Sequence, residues 1–268
     1  MINEKPEGFP KISVIIITRN EHRCIGVCLK SVDFADEIIV VDDESTDLTP
    51  EICRAVKNVR FYSRRMSDGF GPQKNFALSK ALHPWIFSID ADEEVSEALR
   101  MEILACVQAS AADGFRLKRR NLVFGRWLED DRAVMIRLFR RDKGSFTDKN
   151  VDEAVVVTGL VRDLTQTLYH RSFSHASVHN YYKIIVCERS RMTARDLYAM
   201  GRRMDGWGLP VNFVLRPVAI FFQKLFIKGG WRYGWRGVVL AYFSLLAYVY
   251  SYAHLGSIQR HGPAGTNT

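Results

Sequence analysis

Four short apolar runs constrain the fold of this chain more than any other feature. Ile12–Thr18 is β-branched and almost uniformly apolar, Glu37–Val41 and Trp85–Ile89 follow in the same style, and Val59–Tyr62, with Arg60 inside it, is a further short strand. A strand without polar alternation must be covered on both faces, which is the condition of a parallel sheet flanked by helices. The intervals supply those helices. Arg23 to Val32 carries Ile25, Cys28, Leu29 and Val32 at helical spacing, and Thr49-Pro50-Glu51 places an N-cap before proline at the first helical position, opening a helix to about Val56. Gln73 to Leu82 is helical, and Ser96 caps a helix to about Ala109. The rhythm predicts βαβ units in an α/β fold with a mainly parallel sheet.

From Gly114 the texture changes. Phe115–Lys118 and Val134–Phe139 are predicted strands, separated by residues 121–131 with Trp127 and the acids Glu129, Asp130 and Asp131. Val155–Val157 and Thr167–Tyr169 are two more, the second running into His170. Tyr181 to Met200 is helical and basic. The last quarter is apolar: Val211 to Ile227 is broken by Arg216, Pro217 and Lys224, and Gly237 to Ala253 has no charge and nearly the length of a spanning helix. Its tyrosines and the Trp/Arg-rich approach from Lys228 to Arg236 suit the headgroup zone, so the tail is expected to lie in or dip into one leaflet. A true span and a buried core or dimer helix are the alternatives. The expected organisation is a domain over 1–205, a membrane-associating tail over 206–260 and a disordered end over 261–268.

Composition narrows the partners. A net charge of +8 over 268 residues points to something anionic: nucleic acid, lipid headgroups or a phosphorylated substrate. No nucleic-acid module or aromatic-basic ribonucleoprotein motif is present, so nucleic acid is not expected. The five cysteines are scattered, and Cys24 and Cys28 lack the two further ligands of a zinc site; they are expected as reduced, buried thiols. The start, Met1 to Phe9, is polar and does not have the pattern of a signal peptide, so the chain is expected in the cytoplasm or on the cytoplasmic face of a membrane.

Ligands of such sheets bind outside the carboxyl ends of the strands. Three of the four runs end in polar chemistry there: Thr18-Arg19-Asn20-Glu21, Asp42-Asp43-Glu44 and Asp90-Ala91-Asp92-Glu93. Acids crowded at one strand end repel each other unless a cation joins them, and hard oxygen ligands select Mg²⁺ or Mn²⁺. Asp92 is the expected metal ligand, with Asp90 facing the metal, its bound water or a ribose. An N-cap for the Ser96 helix would need one acid, not three. Gly69 to Asn75 is a glycine-containing turn into a helix; Lys74 is placed to reach a phosphate, and Gln73 or Asn75 to brace the acids. An aspartyl-nucleophile phosphatase also uses Asp-x-Asp, but after its first strand and followed by Thr or Val.

These segments together resemble the family 2 inverting glycosyltransferases of the GT-A fold, nearest in likeness to lipopolysaccharide-core β-glucosyltransferases. The likeness rests on Ile12–Glu21, Val41–Asp47, Phe70–Asn75 and Asp90–Glu93 in this order, then Arg119–Asn121 with Phe124–Trp127, Arg137–Arg141 and the Phe226–Leu255 tail. It departs at Leu128–Ala133, where relatives carry a Gly-Gly-Trp-Tyr-Pro-Asp-like segment, and at Val151-Asp152-Glu153, where they read Val-His-Glu. The resemblance implies a nucleotide-sugar site made by Thr18, Asn20, Glu21, Asp42, Asp43, Gln73, Lys74, Asn75 and Asp90, with metal contacts from Asp92, Asp90 and His170. It also implies a single displacement from a UDP-hexose to a lipid-linked or phosphorylated glycan. Glu153 is the favoured base and Asp131 the second, with Asp152 and Asp130 as further candidates, although either pair, Asp130–Asp131 or Asp152–Glu153, could instead bond Arg119, Arg120, Arg137 or Arg140. His170, a lone histidine, could equally be structural. Arg116, Lys118, Arg119, Arg120, Arg137, Arg140, Arg141 and the arginines from 189 to 203 are expected to form a basic surface for anionic lipid. The competing readings are a nucleotidyltransferase and a non-catalytic nucleotide- or glycan-binding scaffold.

Overall fold

The computed structural model describes residues 8–67, 69–148, 153–172, 176–204 and 208–262. The chain divides into two compact units, one formed by 1–121 with 129–172, the other by 122–128 with 173–268. The expected boundary at 205/206 falls inside the second unit.

The first unit is built on a sheet whose strands lie in the order Val59–Ser63, Glu37–Asp42, Ile12–Thr18, Trp85–Ser88, Arg126–Arg140, Gly114–Val123, Val161–His170, Glu93–Glu94. The predicted strands are present as β1 (Ile12–Thr18), β2 (Glu37–Asp42), β3 (Val59–Ser63) and β4 (Trp85–Ser88), and β1 pairs in parallel with both β2 and β4. Every residue of β2 and β4 is buried, as their unalternating composition requires. Helices α1 (Ile25–Ser31), α2 (Thr49–Arg54), α3 (Phe70–Lys80) and α4 (Glu97–Ala109) fill the intervals. Ser96 caps α4, its hydroxyl accepting the Leu99 N–H at 3.2 Å. Thr49 is not the cap of α2 but its first residue, and Asp47 Oδ1 accepts the Thr49 N–H at 2.9 Å. The main core gathers Ile12, Val14, Ile38, Val40, Phe87, Leu99 and Ile103 on one sheet face.

The second half of this sheet is mixed. The expected break at 121–131 is instead two long strands, β6 (Gly114–Val123) and β7 (Arg126–Arg140), joined by a two-residue turn. Phe124 (φ 47°) and Gly125 (φ 75°) both have positive φ, the backbone of a type I′ hairpin, whose twist matches the strands it joins. β4 pairs antiparallel with β7. Two strands complete the sheet: β5 (Glu93–Glu94) and β10 (Val161–His170), longer than predicted, which lies parallel to β6 and antiparallel to β5. β8 (Gly144–Phe146) and β9 (Val155–Val157) form a separate two-stranded ribbon.

The second unit is helical. A run over 178–199 packs on the C-terminal helix Trp235–His261 through Ala194, Tyr252, Leu255 and Ile258. The 122–128 hairpin tip buries Val123, Phe124 and Leu128 against Tyr181, Tyr233, Val239 and Leu240. The C-terminal helix has 27 residues and contains an 18-residue stretch with a mean hydropathy of 1.4, long and apolar enough to cross a membrane by length and composition.

Candidate active site

The candidate site is assembled by two chain reversals. β4 delivers Asp90 to the carboxyl end of the sheet, and the next two residues turn into β5, which pairs with the end of β10 so that Glu93 lies opposite His170. That register brings His170 Nε2 to 3.1 Å from Asp92 Oδ2. The other ring nitrogen, Nδ1, lies 2.8 Å from Asn121 Oδ1 on β6. With Nδ1–H given to Asn121, the neutral ring turns an Nε2 lone pair toward Asp92; as imidazolium it bonds Asp92 directly. Burial opposes ionisation of Asp92, but the His170 bond and charge outweigh it and lower its carboxyl.

Asp90 has a different environment. Lys74 Nζ approaches its Oδ1 at 2.8 Å and Arg137 Nη2 its Oδ2 at 2.8 Å. Burial alone would push Asp90 up, but Arg137 and Lys74 hold its carboxyl well below the usual range. Arg137 also reaches Glu93 Oε1 at 3.0 Å, Arg119 meets the same oxygen at 3.4 Å, and Glu93 Oε2 accepts the Asp90 N–H at 2.9 Å. Glu93 is fully enclosed, and that burial pushes its carboxyl up while Arg137 pulls against it. Lys74 continues the string on its other side, 2.6 Å from Glu153 Oε1. Six charges thus alternate along Glu153–Lys74–Asp90–Arg137–Glu93–Arg119.

Other predicted residues serve the local frame. Asp42 accepts the Ser45 N–H at 2.8 Å and its hydroxyl, closing the turn after β2. Asp43 holds Arg19 at 2.8 Å and the Met66 N–H at 2.7 Å. Asn20, at φ 54°, accepts the Thr46 N–H at 2.8 Å. Gln73 bonds Arg64, and Asn75 clamps Phe146 of β8 through both its amide atoms. The Thr18 hydroxyl is buried with no hydrogen-bond partner among the described residues. Glu21, beside Asp92 and Asp47, is raised to about 7, first by burial and then by those two charges. Asp152 and the side chain of Asp131 lie outside the described residues.

Sequence patterns place Arg137 and Arg119 on a basic surface or beside the acids at 130–131 and 152–153, and miss their pairing with the acids at the β4 end. Arg137 is expected on a basic surface, yet it is only 5% exposed and binds two of the three acids of the β4 end. The alternation of β7 is the available signal, since it turns Arg137 to the face opposite Leu138. Lys74, expected to be free for a phosphate, is paired on both sides. Among the described residues no three or more His, Cys, Asp or Glu side chains converge on one point. Asp92 nevertheless fits a divalent ion, because Mg²⁺ is bound through one or two carboxylates when substrate phosphates and water supply the rest; His170, its imidazole oriented by Asn121, is the nearest second group.

The family model "Glycosyl transferase family 2" matches residues 13–168, the stretch that carries the parallel strands and the acids at their carboxyl ends. The chain belongs to glycosyl transferase family 2. Among similar family members, lipopolysaccharide core biosynthesis glycosyltransferase LpsC of Rhizobium meliloti (strain 1021) is 30% identical over 268 residues, covering 93% of each chain. Uncharacterized glycosyltransferase RP128 of Rickettsia prowazekii (strain Madrid E) is 28% identical, over 85% of this chain and 81% of its own length. The structure of S. aureus TarS 1-349 in complex with UDP-GlcNAc shares the fold, with a TM-score of 0.52 at 18% identity, covering 94% of this chain and 92% of that one. The chain is thus a GT-A glycosyltransferase, as its sequence resemblance implies. The family 2 model ends at residue 168, two residues before His170.

Proposed function

We propose that this glycosyltransferase moves a hexose, glucose from UDP-glucose, onto a lipid-linked glycan such as the lipopolysaccharide core, inverting the anomeric carbon with Mg²⁺ or Mn²⁺. The observation that carries the proposal is the Asp92–His170 pair, backed by Asn121 and set at the carboxyl end of β4 beside the buried Asp90 string. The name of LpsC and the UDP-GlcNAc bound by TarS support the acceptor class and the donor class respectively.

Asp92 and His170 would hold the ion, which supplies Lewis-acid neutralisation of the leaving diphosphate. Thr18, Asn20, Asp42 and Asp43 frame the nucleoside pocket at the ends of β1 and β2, and the unpartnered Thr18 hydroxyl is a donor ready for it. Glu153 takes the proton from the acceptor hydroxyl as that oxygen attacks the anomeric carbon and the bond to UDP breaks. Lys74 orients Glu153 through the 2.6 Å ion pair, and through Asp90 ties that base to the β4 acids. Peripheral attachment through the C-terminal helices puts this site at the cytoplasmic face, where a lipid-linked acceptor resides.

The test is UDP release from UDP-glucose, UDP-galactose and UDP-GlcNAc with core-truncated lipopolysaccharide, with and without Mn²⁺, and mass spectrometry of the product. Metal-dependent addition of one hexose is expected. Asn121→Leu should weaken Mn²⁺ binding about 10–100-fold while the fold persists. Release of UDP from none of the three donors, or full turnover in chelator, overturns the reading.

A further inference from the structure

From Gly206 to the end the sequence contains no Asp or Glu, but it contains Arg216, Lys224, Lys228, Arg232, Arg236 and Arg260. On the helical run over 208–227, Val214, Val218, Phe222 and Phe226 recur every four residues, and each is between 44% and 58% exposed. Such a stripe drifts around an α-helix of 3.6 residues per turn. Here Val211–Leu215 and Gln223–Ile227 are wound with wider i→i+5 turns on either side of the α-helical Arg216–Phe222, and the extra residues per turn bring the drift back. The rings of Phe222 and Phe226 stack at 5.9 Å on this face. At the turn that follows, Trp231 and Trp235 are 58% and 54% exposed. Arg232 lies over the Trp231 ring at 5.6 Å and Arg236 over the Trp235 ring at 4.7 Å. Apolar stripe, tryptophans at its end, interleaved cations and no acids are the composition of a surface that sinks into an anionic headgroup layer.

The long helix Trp235–His261 is tied to the rest of its unit by polar contacts, while Trp235, Val238 and Tyr242 stand 54%, 44% and 50% exposed on it. Ser190 donates to the Ala247 carbonyl at 3.0 Å, the Tyr182 and Tyr250 hydroxyls meet at 2.9 Å, and the Met204 N–H donates to Gln259 Oε1 at 2.9 Å. Its neighbours over 182–204 include Arg189, Arg191 and Arg195, which would have to enter the hydrocarbon with it. We infer that the partner of the second unit is the surface of an anionic phospholipid bilayer, met by the Val214–Val218–Phe222–Phe226 face with Trp231 and Trp235, and that Trp235–His261 is the internal helix of this unit and not a span. This rests on the proposed membrane attachment and specifies its face and depth.

Flotation of the full chain on vesicles tests it. The chain should float with phosphatidylglycerol/phosphatidylcholine vesicles and poorly with phosphatidylcholine alone, and alkaline carbonate should release it. Phe222→Ser with Phe226→Ser should raise the lipid needed for half-binding at least ~tenfold. Lys228→Glu with Arg232→Glu, at the exposed turn, should remove the preference for anionic lipid; circular dichroism checks that both variants are folded. Flotation on neither vesicle overturns the attachment itself. Unchanged flotation of the folded charge-reversal and serine variants, or resistance to alkaline release, leaves attachment standing and overturns this face.

Discussion

At the scale of single residues, position within a cluster decides chemistry more than residue type does. Asp90, Asp92 and Glu93 are three acids within four residues, yet Asp90 is held ionised by Lys74 and Arg137, Glu93 is pushed up by burial, and Asp92 faces a histidine. Glu21 adds a fourth acid, raised from its ordinary 4.5 to about 7 by burial and by Asp92 and Asp47. A carboxyl raised on folding keeps a proton that the unfolded chain has already lost. Its stabilising contribution is therefore complete below about 4.5 and disappears as pH rises through about 7. In chelator, the melting temperature of the natural chain should fall more steeply from about pH 5 to about pH 8 than that of Glu21→Gln, which carries no titrating proton. Parallel slopes in a thermal melt series would refute the assignment.

At the scale of elements, two glycines separate backbone strain from steric overlap. Gly125 has φ 75° and open space where a Cβ would stand, so Gly125→Ala should cost only the left-handed backbone, about 1 kcal/mol. Gly144 on β8 has ordinary backbone, but a Cβ there would overlap the buried Phe139 ring, itself wedged against Phe146. Gly144→Ala should cost about 1–3 kcal/mol by overpacking, and urea titration of both variants should rank it the more damaging. The same elements mark what the sequence makes legible. β1, β2 and β4 are recognisable because burial on both faces leaves no room for polar residues. β6 and β7 are legible only in part: Phe115–Lys118 and Val134–Phe139 read as strands, but the stretches that carry them to Val123 and back from Arg126 do not, because Arg119, Arg120 and the acids Glu129, Asp130 and Asp131 have the composition of a loop. Their turn is equally hidden, because Phe124 adopts a backbone more often held by Asn or Gly. The acids at the strand ends are legible as a site from chain order alone, and so is Lys74 beside them; the pairing of Arg137 with Asp90 is not, because the two stand 47 residues apart.

At the scale of the molecule, the two units are not two consecutive stretches of chain. The 122–128 hairpin tip belongs with the C-terminal helices, where Phe124 stacks on Trp235 at 5.8 Å and Arg236 donates twice to the Phe124 carbonyl, at 3.1 and 3.0 Å. Truncation after Gly208 removes Tyr233, Val239 and Leu240 and strips cover from Val123, Phe124 and Leu128. The shortened chain should aggregate or melt well below the full one, measured by light scattering and calorimetry, and not behave as a clean soluble domain. The charge string imposes a different restriction. Its members come from residues 74, 90, 93, 119, 137 and 153, and Lys74, Glu93 and Arg137 are almost wholly enclosed. Loss of one partner strands the next, at about 3–5 kcal/mol for a buried pair, whereas simultaneous exchange of both partners for well-packed apolar residues can be neutral. Descendants of this sequence therefore reach a different centre by paired replacement at Lys74, Glu93 and Arg137, where a single change leaves an enclosed charge without its partner.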